Sequence, residues 1–286
     1  MLLSNSIKTV LLLSGLSGLL LLIGYLIGGT SGITIALFFA IGMNFFAYFY
    51  SDKLVLRLYK AKKLDPATYD WVYTQVKELA HTMKIPMPKL WLVENPMANA
   101  FATGRNPKNA SVAVTTGILS LLTQRELRGV LAHELSHVKN RDILVGSIAA
   151  TLATAIGYVA QMLQMSAIFG SSDRGRRNPL SLLVIVLLMP LAATLMQLAI
   201  SRSREYLADE TGAECTDDPE ALAAALEKLV HNIPNAHLNN EPATASTASL
   251  FIVHPFLKHS WTELFSTHPP LRDRIMRLRQ MYEKMS

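Results

Sequence analysis

His133 and His137 stand four residues apart with Glu134 between them. On a helix, both imidazoles leave the same side, at a separation that lets one cation accept a nitrogen from each. Glu134 then projects beside that cation. Such a set suits the hydrolysis of an amide, which neutral water attacks poorly. Zinc lowers the pKa of a bound water to about 7, and a neighbouring carboxylate takes the proton and delivers it to the departing amine. The pattern His-Glu-x-x-His arises by chance in roughly one chain in a hundred of this length, so a third ligand has to be found. A third histidine six residues on is excluded, because that position is Ile143 and Asn140 stands where a turn-forming glycine would be needed. The better stretch is Ser201-Arg202-Ser203-Arg204-Glu205-Tyr206-Leu207-Ala208-Asp209. With Glu205 and Asp209 four apart on a helix, Glu205 can reach the metal while Asp209 accepts a hydrogen bond from a ligand imidazole; the other reading is a solvated acidic pair on an arginine-rich helix. The expected centre is one Zn2+ per chain on His133, His137 and Glu205, with Asp209 behind it and Glu134 as general base.

The elements that must hold these residues are legible in part. Thr123 followed by Glu126 is a capping box that starts the zinc helix, and Leu127, Val130, Leu131, Leu135 and Val138 give it a core-facing stripe. Asp65-Pro66 predicts the start of an earlier helix reaching about Met83, stopped by Ile85-Pro86-Met87-Pro88. Three β-like runs follow, Lys89 to Glu94, Asn99 to Gly104 and Ser111 to Thr116, the last two joined as a hairpin by the turn-rich Arg105 to Asn109. A peptide added along the edge of that sheet would gain backbone hydrogen bonds whatever its sequence. The candidate edge is Asn99-Ala100-Phe101-Ala102-Thr103-Gly104; the other reading leaves Phe101 in the core and Gly104 only turning the chain. Further on, Asp218-Pro219 caps a helix to about Asn232, and Leu271 to Lys284 is amphipathic. Its apolar side carries Leu271, Ile275, Leu278 and Met281, with Arg272, Arg274, Arg277 and Arg279 largely on the others.

Half of the 286 residues are hydrophobic, too many for an ordinary soluble domain. Four runs carry the excess: Val10 to Gly29, Ile33 to Tyr50, Ile143 to Phe169 and Leu180 to Ile200. Lys53, Arg57, Lys60, Lys62 and Lys63 follow the first pair and place that end in the cytoplasm. His137 lies before the second pair and Glu205 after it, and both must lie within about 2 Å of one metal. That pair therefore crosses the bilayer twice or not at all, and the length of each run with the basic flanks favours two crossings. The net charge of +6 is spread over membrane ends and the terminal helix, which points to anionic lipid rather than to nucleic acid. Cys215 is alone, which forbids an internal disulfide and fits a reducing compartment. A protease cutting within the membrane would need the zinc helix to be apolar, whereas it carries Arg125, Glu126, Arg128, Lys139 and Arg141. A structural zinc would close four protein ligands and have no use for Glu134.

His-Glu-Leu-Ser-His, then Ser-Arg-Ser-Arg-Glu-Tyr-Leu-Ala-Asp after an apolar pair, then Ser266-Thr267-His268-Pro269-Pro270-Leu271, resembles the HtpX family in order and spacing. These are bacterial membrane-bound zinc endopeptidases related to the prenyl-protein (CAAX) proteases, and the Asn99 to Gly104 run is similar too. The resemblance implies a mainly α membrane protein with a small β-sheet, a gluzincin-type zinc peptidase domain on about four transmembrane helices. It also implies a multi-pass protein of the bacterial inner membrane with its catalytic domain in the cytoplasm, serving quality control under envelope stress. Substrates would be misfolded membrane proteins and unfolded polypeptides, with an ATP-dependent membrane protease acting in the same pathway. The expected division is 1–52 for the first hairpin, 53–142 and 201–286 for the peptidase, and 143–200 for the second hairpin. Two roles stay open for His268, stabilising the oxyanion or bracing the terminal helix, with Tyr206 an alternative oxyanion donor. The segment from Pro234 to Ser249 reads as a mobile lid and a site of self-cleavage.

Overall fold

The computed structural model describes residues 5–149, 151–152, 202–232 and 269–285. His268, the 234–249 segment, and the second apolar pair beyond its first turns lie outside the described residues. The first apolar pair forms helix α1 (Asn5–Leu58), broken at Gly28 and Gly29, where the backbone leaves helical angles. Its two arms fold back on each other: Asn44 Nδ2 donates to Ser17 Oγ at 2.8 Å, and a Cβ on Gly32 would lie 2.0 Å from the Gly24 carbonyl oxygen. Among the described residues Gly28–Leu58 is the one helix long and apolar enough to cross a membrane. It continues past Tyr50, where the sequence predicts the span to end, because Val55 and Leu56 are buried against the sheet together with Phe101 and Ala113.

The sheet has the order β1-β2-β4-β3, with β1 at Lys62–Lys63, β2 at Lys89–Val93, β3 at Ala100–Gly104 and β4 at Ala110–Thr115. β2 and β4 are parallel, while β1 runs antiparallel to β2 and β3 antiparallel to β4. The hairpin read from the turn-rich stretch is therefore β3–β4. Its turn needs Gly104, with φ at +144° and no room for a Cβ beside the Asn109 carbonyl. Helix α2 (Asp70–Thr82) starts later than Asp65-Pro66 suggests. Asp65 is occupied in a turn of its own, accepting from Ala67 N at 3.2 Å and Thr68 Oγ1 at 2.6 Å.

α3 (Thr116–Leu121) leads into α4 (Gln124–Lys139), the helix of the His-Glu-x-x-His pattern. Both halves of its capping box are present, Glu126 N to Thr123 Oγ1 and Thr123 N to Glu126 Oε2. All five residues of the stripe are fully buried. They meet Val72, Val76 and Leu79 of α2, and Leu222, Leu226 and Leu229 of α6 (Pro219–His231), in one core. α5 (Arg202–Thr216) crosses α4 at Gly212, where a Cβ would stand 3.0 Å from the His133 nitrogen. A side chain there would crowd the His133 backbone, and the close approach brings the side chains of α5 to the histidines. α7 (Leu271–Met285) packs across α6 and α5, with Leu278 in the core. The third apolar run begins as a helix at 143–149, with Val145, Ile148 and Ala149 packed on Leu16 and Ala47 of α1.

Candidate active site

Helix periodicity and one close helix crossing bring His133, His137 and Glu205 together. His133 Nε2 lies 3.3 Å from His137 Nε2 and 3.7 Å from Glu205 Oε2; His137 Nε2 lies 3.6 Å from Glu205 Oε1. Among the described residues this group has the arrangement of a metal site, its donor atoms all within 4.8 Å of one another. The remaining nitrogen of each imidazole faces a carboxylate, His133 Nδ1 at 2.9 Å from Asp209 Oδ1 and His137 Nδ1 at 3.1 Å from Asp142 Oδ2. Carboxylates there fix the tautomer that turns Nε2 toward a cation. Two oriented imidazoles and one carboxylate, with no fourth protein donor among the described residues, fit a catalytic dication.

Asp209 occupies the place the sequence predicts, whereas Asp142 is a partner that sequence reasoning missed. Arg274 is another. It is fully buried and grips Asp209 with two bonds, Nε to Oδ2 at 2.8 Å and Nη2 to Oδ1 at 2.7 Å. Its Nη1 reaches to 3.7 Å from Glu205 Oε2. Arg274 thus lies on the buried side of α7, which corrects its assignment to the polar faces: the carboxylates of α5 supply the partner that burial of a charge demands. Arg204 Nη1, 3.7 Å from Asp142 Oδ1, stands similarly behind His137.

Charge distribution follows from this enclosure. Burial pushes Glu134 up to about 7, with the Glu205 carboxylate adding to the effect, while His137, the Ala102 N–H and Arg274 oppose it. Burial works against a charged His137, yet the Asp142 hydrogen bond and the Glu205 and Glu134 carboxylates raise it to about 9. Burial lowers His133, and Arg274 and His137 outweigh enough of the pull of Asp209 to keep it low.

The sheet meets the site at Glu134, whose Oε2 accepts from Ala102 N at 2.9 Å. Thr115 N donates to Asn99 O, so Asn99, Phe101 and Thr103 are the members of the run whose peptide groups pair toward β4. Ala100, Ala102 and Gly104 turn theirs to the open edge. The Phe101 side chain is in the core, 5.1 Å from the Tyr59 ring, in line with the packing reading; the edge is a property of the backbone. Thr103 Oγ1 and Gly104 N meet Ser147 Oγ at 2.6 and 3.3 Å, which ties that end of the strand to the apolar run at 143–149. Tyr206 stacks on Arg277 of α7, with the guanidinium 3.8 Å from its ring centre. Cys215 is half-buried.

The profile of Peptidase family M48 matches residues 66–282, which span the sheet, the histidine helix and the helix that carries Arg274. The chain belongs to that family and is a metallopeptidase. Several relatives share one description. A "Protease HtpX homolog" of Persephonella marina is 50% identical over 98% of this chain and 99% of its own length. One from Syntrophobacter fumaroxidans is 51% identical over 96% and 98%. One from Campylobacter hominis is 46% identical over 98% and 100%. The HtpX resemblance read from three motifs is borne out. The crystal structure of S. mikatae Ste24p shares the fold, with a TM-score of 0.52 at 17% identity; the match covers 96% of this chain and 64% of that one.

Proposed function

We propose that this chain is a zinc endopeptidase held in the bacterial inner membrane by about four helices, cutting misfolded membrane proteins and unfolded polypeptides at the cytoplasmic surface. The observation that carries the reading is the placing of Glu134 between the metal-binding cluster and the open edge of β3. His133, His137 and Glu205 would hold the metal. When bound, zinc supplies the Lewis acidity that brings the pKa of water to about 7. Ala102 N–H fixes one oxygen of Glu134, which orients the other to take a proton from the attacking water and pass it to the departing amine. Backbone pairing with Ala100 and with the Ala102 carbonyl, the Ala102 N–H being held by Glu134, would draw an extended segment past the site without reading its side chains, which suits unfolded substrates. His268 would donate to the oxyanion. If it only braces α7, His268→Ala should lower thermal stability and leave kcat in step with the folded fraction.

The membrane part of the reading rests on the apolar helix Gly28–Leu58 and on the composition of the runs around 143–200. The cytoplasmic orientation rests on the basic residues after Tyr50. The decisive test compares wild type and Glu134→Gln on unfolded casein, each loaded with zinc. The variant is expected to bind zinc and fold normally while losing proteolysis by a factor of at least about a hundred. Substantial residual cleavage would remove Glu134 from the role of base.

A further inference from the structure

Arg274 is a full charge at zero exposure in the last helix of the chain, and the packing of that helix does not require it. Leu271, Ile275, Leu278 and Met281 already supply the apolar contacts of α7 with the core. Burying a guanidinium is costly unless good geometry offsets the lost water. Here the geometry is a two-bond fork on Asp209, at 2.7 and 2.8 Å, the arrangement that arginine makes and lysine does not. The same guanidinium lies 3.5 Å from His133 Nδ1 and 3.7 Å from Glu205 Oε2. One side chain of α7 therefore faces two of the three residues that would hold the metal, together with the carboxylate that orients the first. By contrast Arg279, on the same helix, makes surface pairs with Glu220 and Glu227.

We infer that Arg274 is a positioning residue for the metal, so that docking of the C-terminal helix and metal binding reinforce each other. This inference rests on the reading of His133, His137 and Glu205 as ligands. The physical route is short. Asp209 would otherwise be a buried carboxylate free to rotate about its own bonds. Clamped by the fork, it presents Oδ1 to His133 Nδ1 and so fixes the direction of Nε2. Arg274 also limits where the Glu205 carboxylate settles. Reciprocity follows from thermodynamics: whatever factor Arg274 contributes to metal affinity, bound metal returns to the docking of α7.

The test uses the full-length chain in detergent, with zinc as the probe and affinity read by competition with a chromophoric chelator. Loss of a group that orients a ligand lowers metal affinity about 10–100-fold. Arg274→Gln should fall in that range and Arg274→Lys, which keeps the charge without the fork, should lose less. Arg279→Ala should bind zinc as wild type does. Millimolar guanidinium added to Arg274→Ala should recover part of the affinity, an effect a merely structural role would not give. Because Arg274→Gln could fail to fold, hydrogen exchange of the wild type supplies an independent measurement: zinc should slow exchange in 271–285. A folded Arg274→Gln with unchanged zinc affinity, or α7 exchange indifferent to zinc in wild type, would overturn the coupling. A wild type that binds no zinc would overturn the ligand reading itself, a result distinct from either.

Discussion

His133 and His137 each have a carboxylate at the far nitrogen and an arginine behind that carboxylate: Asp209 with Arg274, Asp142 with Arg204. The two supports were not equally visible. Glu205 and Asp209 could be read because helical spacing alone puts them on one side. Asp142 sits beside the motif but reaches His137 only because Arg141 turns the chain, with φ at +59°, and Asp142 N donates back to His137 O. Linear sequence gives no signal for that reversal. Arg274 was hidden by its companions, one of several arginines on an amphipathic helix, 65 residues from Asp209. Removing either carboxylate should weaken the metal, and Asp209→Ala, which strands the buried Arg274, should also lower stability. For Asp142→Ala and Asp209→Ala, zinc retained after dialysis against a mild chelator is expected to correspond to affinity about 10–100-fold below wild type. Glu205→Ala, which deletes a donor, should retain least.

Among the elements, α4 was the most legible because three independent signals agree on it: a cap, an apolar period and a pair of histidines at helical spacing. Two-residue β1 carries no alternation and could not be found, and Asp65 imitates a helix cap while closing a turn. The capping box does more than start α4. Glu126 Oε2 also accepts from Lys228 of α6 at 2.8 Å, so the helix start is tied to the neighbouring layer. Thr123→Ala should cost about 0.5–2 kcal/mol in denaturant unfolding. Leu135→Ala, opening a hole in the fully buried stripe, should cost about 2–5 kcal/mol. Burial works to raise Glu126, but Lys228 and the Thr123 N–H and hydroxyl outweigh it and hold the carboxyl below its ordinary value of 4.5. A carboxyl depressed by folding stabilises the native state above its unfolded pKa, and that contribution is lost as pH falls through the folded value. The melting temperature of Lys228→Met should therefore lie below that of wild type at neutral pH and converge with it as pH falls through the lowered value of Glu126. A constant gap down to pH 3 would count against the pair.

At the scale of the whole molecule, the peptidase and the apolar hairpin share structure rather than meeting at a linker. α1 runs from its glycine break into the sheet, burying Val55 beside Phe101, and Ser147 holds the end of β3. The orientation proposed for this assembly has a direct check. Single cysteines at Ser172 and Ser286, in a Cys215→Ser background, should react with an impermeant thiol reagent on intact spheroplasts at 172 and not at 286. Reaction at 286 would reverse the orientation. The uninterrupted second arm of α1 has a further mechanical meaning. Beyond the break at Gly29 it extends about 43 Å to Leu58 at 1.5 Å per residue, while the hydrocarbon layer is about 30 Å thick. If this arm spans the bilayer as proposed, the surplus of about 13 Å would make it a rigid stand-off whose length sets the altitude at which cleavage occurs. Inserting about seven residues, two turns that nearly preserve the helical phase, would lift the blades of the shears by about 10 Å. Such a variant should still cut unfolded casein in solution but spare bonds lying just above the lipid surface.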